Sequence, residues 1–450
     1  MLFFVLKNIR NIIPVGLLLL LGGAGIRAQS GFELVSGGDY HTVKFSLVNN
    51  LVIIPVEVNG VELSFILDSG VNKPILFDLG SGDHPEFSHF EAIYIRGLGQ
   101  GEAIKAYRSR DNVIRINEKV VNRSSDFYLI LDQGINFAPR LGIPIHGIIG
   151  FEVFRDLVVD ISYTRKRIRF YRPGTYRHRT CRKCHTFGLD MIHNKPYLKA
   201  EVAVDGRREE VKLLVDSGSS DALWLFDRED NGLSVPQEHF DDFLGRGLSG
   251  SVYGSRARVE ELHLGDFEFK DAKVAFPDAV SLQHLQNLSE RDGSIGGEIL
   301  RRFDVVVDYA GKKMTMKRNR YFRQPFKYNM SGIELQHNGM RIEQVGTNSN
   351  QALSEHAEAR KTYRILPGRL LKYSLYPAFE IAEVRNGSPA CDAGLKKGDV
   401  VLSVNGKRAS GHSIQEMMEL MNVRAGKKIR LLVEREGRQM RFMFRLKEVL

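Results

Sequence analysis

Apolar and polar residues alternate in short β-type runs along most of the chain, and the runs recur twice in the same order. Residues 45–58 and 61–67 are β-rich apolar segments joined by Asn59-Gly60, a pair that favours a tight hairpin turn because both residues tolerate the left-handed backbone. Residues 197–204 and 211–215, joined through Asp205-Gly206, repeat the arrangement. Each second strand runs directly into Asp-Ser-Gly, at Asp68-Ser69-Gly70 and Asp216-Ser217-Gly218. A glycine-rich tip between predicted strands follows each motif, at residues 96–101 and 246–251. Each copy then closes alike: Gly147-Ile148-Ile149-Gly150 or Gly293-Ser294-Ile295-Gly296, a short helical stretch (152–155 or 298–301), and a strand (157–160 or 305–308). Four features in one order, met twice, predict an internal duplication of a mostly β unit. The lobes would span 31–172 and 190–320, with a basic, cysteine-bearing connector over 173–189.

The texture changes after Met330. A segment rich in Asn, Glu and Gln (336–361) precedes a compact run: a strand at 379–384, a turn into a short helix at 386–390, a strand at 400–404 ended by Asn405-Gly406, a helix at 413–421, and a hairpin from 429–434 and 439–446. This predicts a third domain over 330–450. A length of 450 residues fits about three domains.

The first 28 residues carry Lys7, Arg10 and Arg27 but no acid, and enclose an apolar run over 12–21. That run is shorter than the roughly 20 residues that cross a bilayer, so it reads as a signal peptide cut after Ala28, which places the mature chain in the periplasm or outside the cell. No later segment is apolar enough to span a membrane. Loss of those three cations lowers the formal charge from +10 to +7. Nine Lys or Arg and no acid lie over 165–184, which reads as a solvated strand end and connector; no recognition fold or aromatic-basic platform accompanies the charge, so nucleic acid is not an expected partner. A monomer is expected.

Two carboxylates in matching contexts carry a chemical implication. Hydrolysis of an amide by water needs two adjacent carboxylates in opposite protonation states, and two equivalent lobes folded face to face would bring Asp68 and Asp216 together. Cys181 and Cys184 are a candidate disulfide. Cys181-Arg182-Lys183-Cys184-His185 also matches the string that attaches c-type haem, but no helical core accompanies it; a disulfide or free thiols are expected, ahead of a metal site using His178 or His185. No cofactor or metal is expected. Trp224 is expected in the core.

The two Asp-Ser-Gly repeats with their Ile-Ile-Gly and Ser-Ile-Gly partners resemble the aspartic peptidases, both the retropepsin-like single lobe and the two-lobed pepsin-like arrangement, over residues 45–320. The family signature is two apolar residues, Asp, Thr or Ser, Gly, and then Ala, Ser or Thr. Residues 214–219 fit it throughout, ending in Ser219, whereas Val71 stands at the last place of the first copy. The resemblance implies two β-barrel lobes with Asp68 and Asp216 catalytic, Ser69 and Ser217 orienting the acids and linking the loops, and Gly70 and Gly218 allowing close backbone approach. It also implies flaps at Gly97, Leu98 and Gly99 and at Gly247, Leu248 and Ser249.

The C-terminal run resembles a PDZ domain through Gly387-Ser388-Pro389-Ala390, Ala393-Gly394-Leu395 and Gly398-Asp399-Val400-Val401-Leu402-Ser403-Val404-Asn405-Gly406. Such domains add an extended peptide to a sheet edge. The groove would lie between the strand from Phe379 through Ile381 and the helix carrying Met417, with Tyr376, Pro377 and Ala378 in the loop that receives a terminal carboxylate. The whole is similar to secreted aspartyl proteases with a C-terminal PDZ domain from bacteria of the Bacteroidetes type, which implies proteolysis of protein or peptide substrates. The alternative is a peptide-binding scaffold that keeps the fold without the chemistry.

Overall fold

The computed structural model describes residues 31–345 and 372–450, apart from 36, 78–83, 132–136, 179, 229–231 and 284–289. The stretch expected to be a signal peptide and the polar stretch over 346–361 lie outside the described residues. Among the described residues no helix is long and apolar enough to cross a membrane. The chain is mostly β.

Each lobe is built on a sheet with the same internal logic. In the first, Leu51–Val58 pairs antiparallel with Val61–Leu67, and Gly147–Ile149 returns from far along the chain to lie parallel to it. In the second, Lys195–Val204 pairs with Arg207–Val215, and Gly293–Ile295 lies parallel to that strand. A Cβ on Gly147 would stand 2.3 Å from the Ile75 carbonyl, and one on Gly293 1.9 Å from the Trp224 carbonyl, so only glycine admits these close crossings. The run predicted over 45–58 is broken: Asn49 and Asn50 take positive φ and turn the chain between Ser46–Val48 and Leu51–Val58.

A third sheet of six strands joins the lobes. Val158–Ser162 from the first lobe pairs antiparallel with Phe303–Asp308 from the second, Val159 facing Val307. Tyr40–Lys44 and Cys184–Gly188 close its two edges. The stretch read as a connector is therefore partly structural: Cys184–Gly188 pairs with Lys313–Arg318, and Phe187 and Leu189 are buried. Cys181 and Cys184 are disulfide-bonded at its start. One continuous apolar cluster runs through both lobes, and smaller clusters lie within each, the one around Leu51, Ile66 and Ile75 in the first and the one around Leu244 and Val252 in the second.

The C-terminal domain has a separate core, in which Ile333, Phe379, Ile381, Met417 and Val433 are buried together. Its sheet runs Ile333–Val345, Lys372–Val384, Val400–Val404, Lys428–Arg435, Arg438–Arg445. Helix Ile414–Leu420 starts at a capping box: Ser413 Oγ accepts from the Glu416 amide and the Glu416 carboxylate from the Ser413 amide. The start of the polar segment, to which the sequence assigned no element, is the long edge strand Ile333–Val345, whose pairing with Lys372–Val384 outweighs its weak β propensity.

Candidate active site

Both Asp-Ser-Gly turns close the strands that precede them, and the sheet fixes their position. The Asp68 amide donates to the Ile149 carbonyl at 2.8 Å and the Asp216 amide to the Ile295 carbonyl at 2.9 Å. The turns meet at the junction of the lobes through a reciprocal lock. The Ser69 hydroxyl donates to the Val215 carbonyl at 2.6 Å and accepts from the Ser217 amide at 3.0 Å; the Ser217 hydroxyl donates to the Leu67 carbonyl at 2.8 Å and accepts from the Ser69 amide at 3.0 Å. Both serines are buried, and Tyr309, beneath them, donates to the Ser69 carbonyl at 3.3 Å.

The lock sets the Asp68 and Asp216 carboxyl groups beside each other, close enough to couple electrostatically. A Cβ on Gly218 would stand 2.3 Å from the Asp68 carboxyl, and one on Gly70 within 3.5 Å of both acids, so the pair occupies the space left by two absent side chains. Burial, and then the neighbouring Asp216 charge, push Asp68 up to about 7. Burial also raises Asp216, but Arg291, the Gly218 and Ser219 amides, and Lys195 all favour its ionised form. Asp68 accepts from the Gly70 amide at 2.6 Å. At the place of Ser219 stands Val71, whose side chain packs on the apolar cluster beside the turn. The two acids sit in unlike surroundings: Lys195 favours the ionised form of both, and Arg291 acts in the same sense on Asp216.

Two hairpin tips roof the acids. Glu91–Ile95 with Ile104–Asn117 forms one, His239–Gly247 with Gly250–Leu264 the other. The Ser249 amide donates to the Leu98 carbonyl (2.9 Å), the Gly101 amide to the Ser249 carbonyl (2.6 Å), and the Gly97 amide to the Ser249 hydroxyl (3.0 Å). Gly99 at φ +122° leaves no room for a Cβ, which would stand 2.6 Å from the Ser249 backbone; one on Gly247 would meet the Leu98 carbonyl at 2.2 Å. Each tip inserts its leucine into the opposite lobe: Leu98 packs with Leu244 and Val252, Leu248 on the apolar cluster of Leu51, Ile66 and Ile75. Below lies a cavity of about 1780 Å³ with Asp68 and Asp216 on its floor.

Residues 200–299 match the family model described as Aspartyl protease. The matched stretch contains Asp216-Ser217-Gly218, and the first lobe repeats its architecture around Asp68. Residues 380–435 match the PDZ domain model. No curated protein matches the chain. The chain thus carries an aspartyl protease domain and a C-terminal PDZ domain.

The PDZ domain forms the far wall of the same cavity, in a way the sequence misplaces. Phe379 and Glu380 pair with Val401 and Val400 on one side and with His337 and Gln336 on the other, so this stretch offers no free edge. Ala378, Phe379, Ile381 and Met417 are buried, and Tyr376 and Pro377 pair with Arg341 and Met340 as strand residues. The edge strand is Ile333–Val345. Its Glu334 and Leu335, the helix residues Ile414, Gln415 and Met418, Asn422 just beyond the helix, and Arg140 and Leu141 of the first lobe line a groove that opens into the cavity of the two acids. The turn entering that strand has its amides occupied: Ser331 and Gly332 donate to Asn329 Oδ1 at 3.0 and 3.1 Å, and Met330 to Asn422 Oδ1 at 3.2 Å.

Helix Ala138–Leu141 of the first lobe fixes the PDZ domain in place. Gln415 donates to the Leu141 carbonyl at 2.8 Å, and Arg140 pairs with Glu383 at 3.2 Å. From the second lobe, Asp242 bridges Arg256 (3.0 Å) and Arg385 (3.9 Å), while Arg256 also holds Asp221 at 3.0 Å. Trp224 is half-buried and lines the cavity rather than the core, its indole N–H donating to Asp221 at 2.7 Å. His178 contacts Thr315 and Asp308, and His185 contacts Asp266.

Proposed function

We propose that the chain is an exported aspartic endopeptidase in which Asp68 and Asp216 share one proton. The observation that carries this reading is the pair of acids, locked by reciprocal serines on a cavity floor and held in unlike electrostatic surroundings. Asp216, ionised, takes a proton from a bound water, which attacks the peptide carbonyl; Asp68, protonated, donates to the carbonyl oxygen. The product of that step is a neutral tetrahedral diol, with no covalent intermediate. The interlocked tips part to admit substrate and close over it, excluding water and gripping the backbone.

The PDZ domain serves substrate recruitment in this reading. A chain laid beside Glu334 and Leu335, where the edge strand borders the cavity next to helix Ala138–Leu141, runs along the groove toward the acids, so a bound segment and a cut segment belong to one polypeptide. Because Asn329 and Asn422 already occupy the turn amides, the groove takes an internal extended segment rather than a free carboxyl terminus.

Incubation of the mature chain with a mixture of denatured proteins across pH 3–8, read by mass spectrometry, tests the reading. Cleavage that disappears in Asp68→Asn and in Asp216→Asn supports it. A folded wild-type chain that cuts nothing, or a single Asn variant with near-full turnover, refutes the shared pair and leaves the peptide-binding scaffold.

A further inference from the structure

The pseudo-twofold relation between the lobes exposes a difference at positions that should be equivalent. In the first lobe Ile53 faces Ile66, so the register carried two residues on sets Leu51 opposite Asp68. In the second, Tyr197 faces Leu214, and the same extension sets Lys195 opposite Asp216. Arg291, just before Gly293–Ile295, joins Lys195 in lining the cavity. Around Asp68 the wall is apolar, with Leu51, Ile75 and Ile148; around Asp216 it holds two cations.

Among the described residues neither Lys195 nor Arg291 forms an ion pair or a side-chain hydrogen bond. Both are half-buried, and the Arg291 guanidinium lies 5.1 Å from the Phe226 ring centre. Glu290, beside Arg291 in the chain, approaches His193 at 3.6 Å instead. Burial and their mutual repulsion lower Lys195 from its ordinary value, so the pair is held at a cost. Among these four groups alone, two carboxylates with one shared proton carry one negative charge beside two cations, and an acidic side chain of a substrate placed between Lys195 and Arg291 would offset the difference locally.

We propose, on the peptidase reading above, that Lys195 and Arg291 form a subsite for an acidic side chain of the substrate next to the scissile bond, opposite an apolar subsite made by Leu51, Ile75 and Ile148. The preferred substrate then has an aspartate or glutamate on one side of the cut and an aliphatic residue on the other.

Acetylated octapeptides with Leu on one side of the central bond and Glu or Gln on the other, made in both orientations, provide the test at pH 6 with the full chain. In one orientation kcat/KM is expected to favour Glu by about 10- to 100-fold, the range of a charge-assisted hydrogen bond in a partly buried site. Lys195→Met and Arg291→Met should each collapse that ratio toward 1, Lys195→Arg should retain it, and Lys195→Glu should favour a Lys peptide. If the cations serve only to ionise Asp216, the Met variants shift the pH profile while the Glu to Gln ratio stays as in the wild type, which overturns the proposal. The same ratio, read as binding to the Asp216→Asn chain by fluorescence polarisation, separates the two readings. Preferential Glu binding without turnover by the wild type sinks the peptidase and keeps the subsite; equal binding of Glu and Gln sinks the subsite whatever the turnover.

Discussion

Asp68→Asn should remove a pH dependence of stability that the wild-type chain carries on account of its site. The folded chain holds the Asp68 proton to about pH 7, against an ordinary value of 3.8. A gap of about 3 pKa units, at roughly 1.4 kcal/mol each, corresponds to about 4 kcal/mol. Because the folded-state value is raised, the folded chain binds a proton that the unfolded chain has released between those limits. The stability linked to this proton is therefore complete below about pH 4, falls as pH rises, and is lost above about pH 7. Asparagine has no proton to lose, can accept from the Gly70 amide as Asp68 does at 2.6 Å, and can donate to an ionised Asp216. Urea unfolding of both chains at intervals from pH 4 to 8 reads the effect, since titrating groups distant from the pair cancel in the difference and Asp216, freed of its partner's charge, is displaced in the same comparison. The variant should gain on the wild type by about 2–4 kcal/mol across that range and be the more stable chain at pH 7.5, while having no peptidase activity. Parallel stability curves would show that Asp68 ionises normally in the folded chain, and the division of roles between the acids would fall with it.

Other consequences are open to direct measurement. Ser69→Ala removes a donor to the Val215 carbonyl and the acceptor of the Ser217 amide, both buried, and should cost about 1–3 kcal/mol; in a double-mutant cycle with Ser217→Ala the two losses should fall short of additivity, because each serine completes the other's bonds. Gly218→Ala puts a methyl 2.3 Å from the Asp68 carboxyl and should lower kcat by more than about 100-fold in a chain whose far-UV circular dichroism is unchanged. Met418→Glu, on the helix side of the PDZ groove, should raise KM for unfolded protein substrates while leaving octapeptides unaffected; equal effects on both would detach the groove from substrate recruitment.

Local patterning made much of the lobes legible. Asn59-Gly60, Asp205-Gly206 and the two Asp-Ser-Gly turns are short-range codes, because a tight turn depends on the φ preferences of two or three adjacent residues. The long-range crossing of Gly147–Ile149 beside Phe65–Leu67 left only a trace in the sequence, a glycine before apolar residues. The groove was misread because a strand's neighbours depend on sheet order: residues 379–384 look like a peptide-binding strand in isolation, yet the strand lies inside its sheet, with Phe379 and Glu380 paired on both sides. The edge strand over 333–345 was concealed by its Glu, Gln, His and Asn residues, tolerated on an edge where one side is unpaired and exposed.

The candidate site divides in the same way. Asp68 and Asp216 were marked by repetition, and the lock by the serines beside them, since a duplicated unit carries its motif with it. Lys195 and Arg291 gave no such signal; they are ordinary cations in the sequence, and only the strand register and the return of the chain into Gly293–Ile295 set them against Asp216. The sequence by itself determined the residues capable of the chemistry, because turn and strand propensities act over a few positions. The tertiary structure alone decided how the surroundings of the two acids differ, which strand lies at the edge of its sheet and which cations stand beside Asp216, because electrostatic energies and sheet edges depend on distances between residues far apart in the chain.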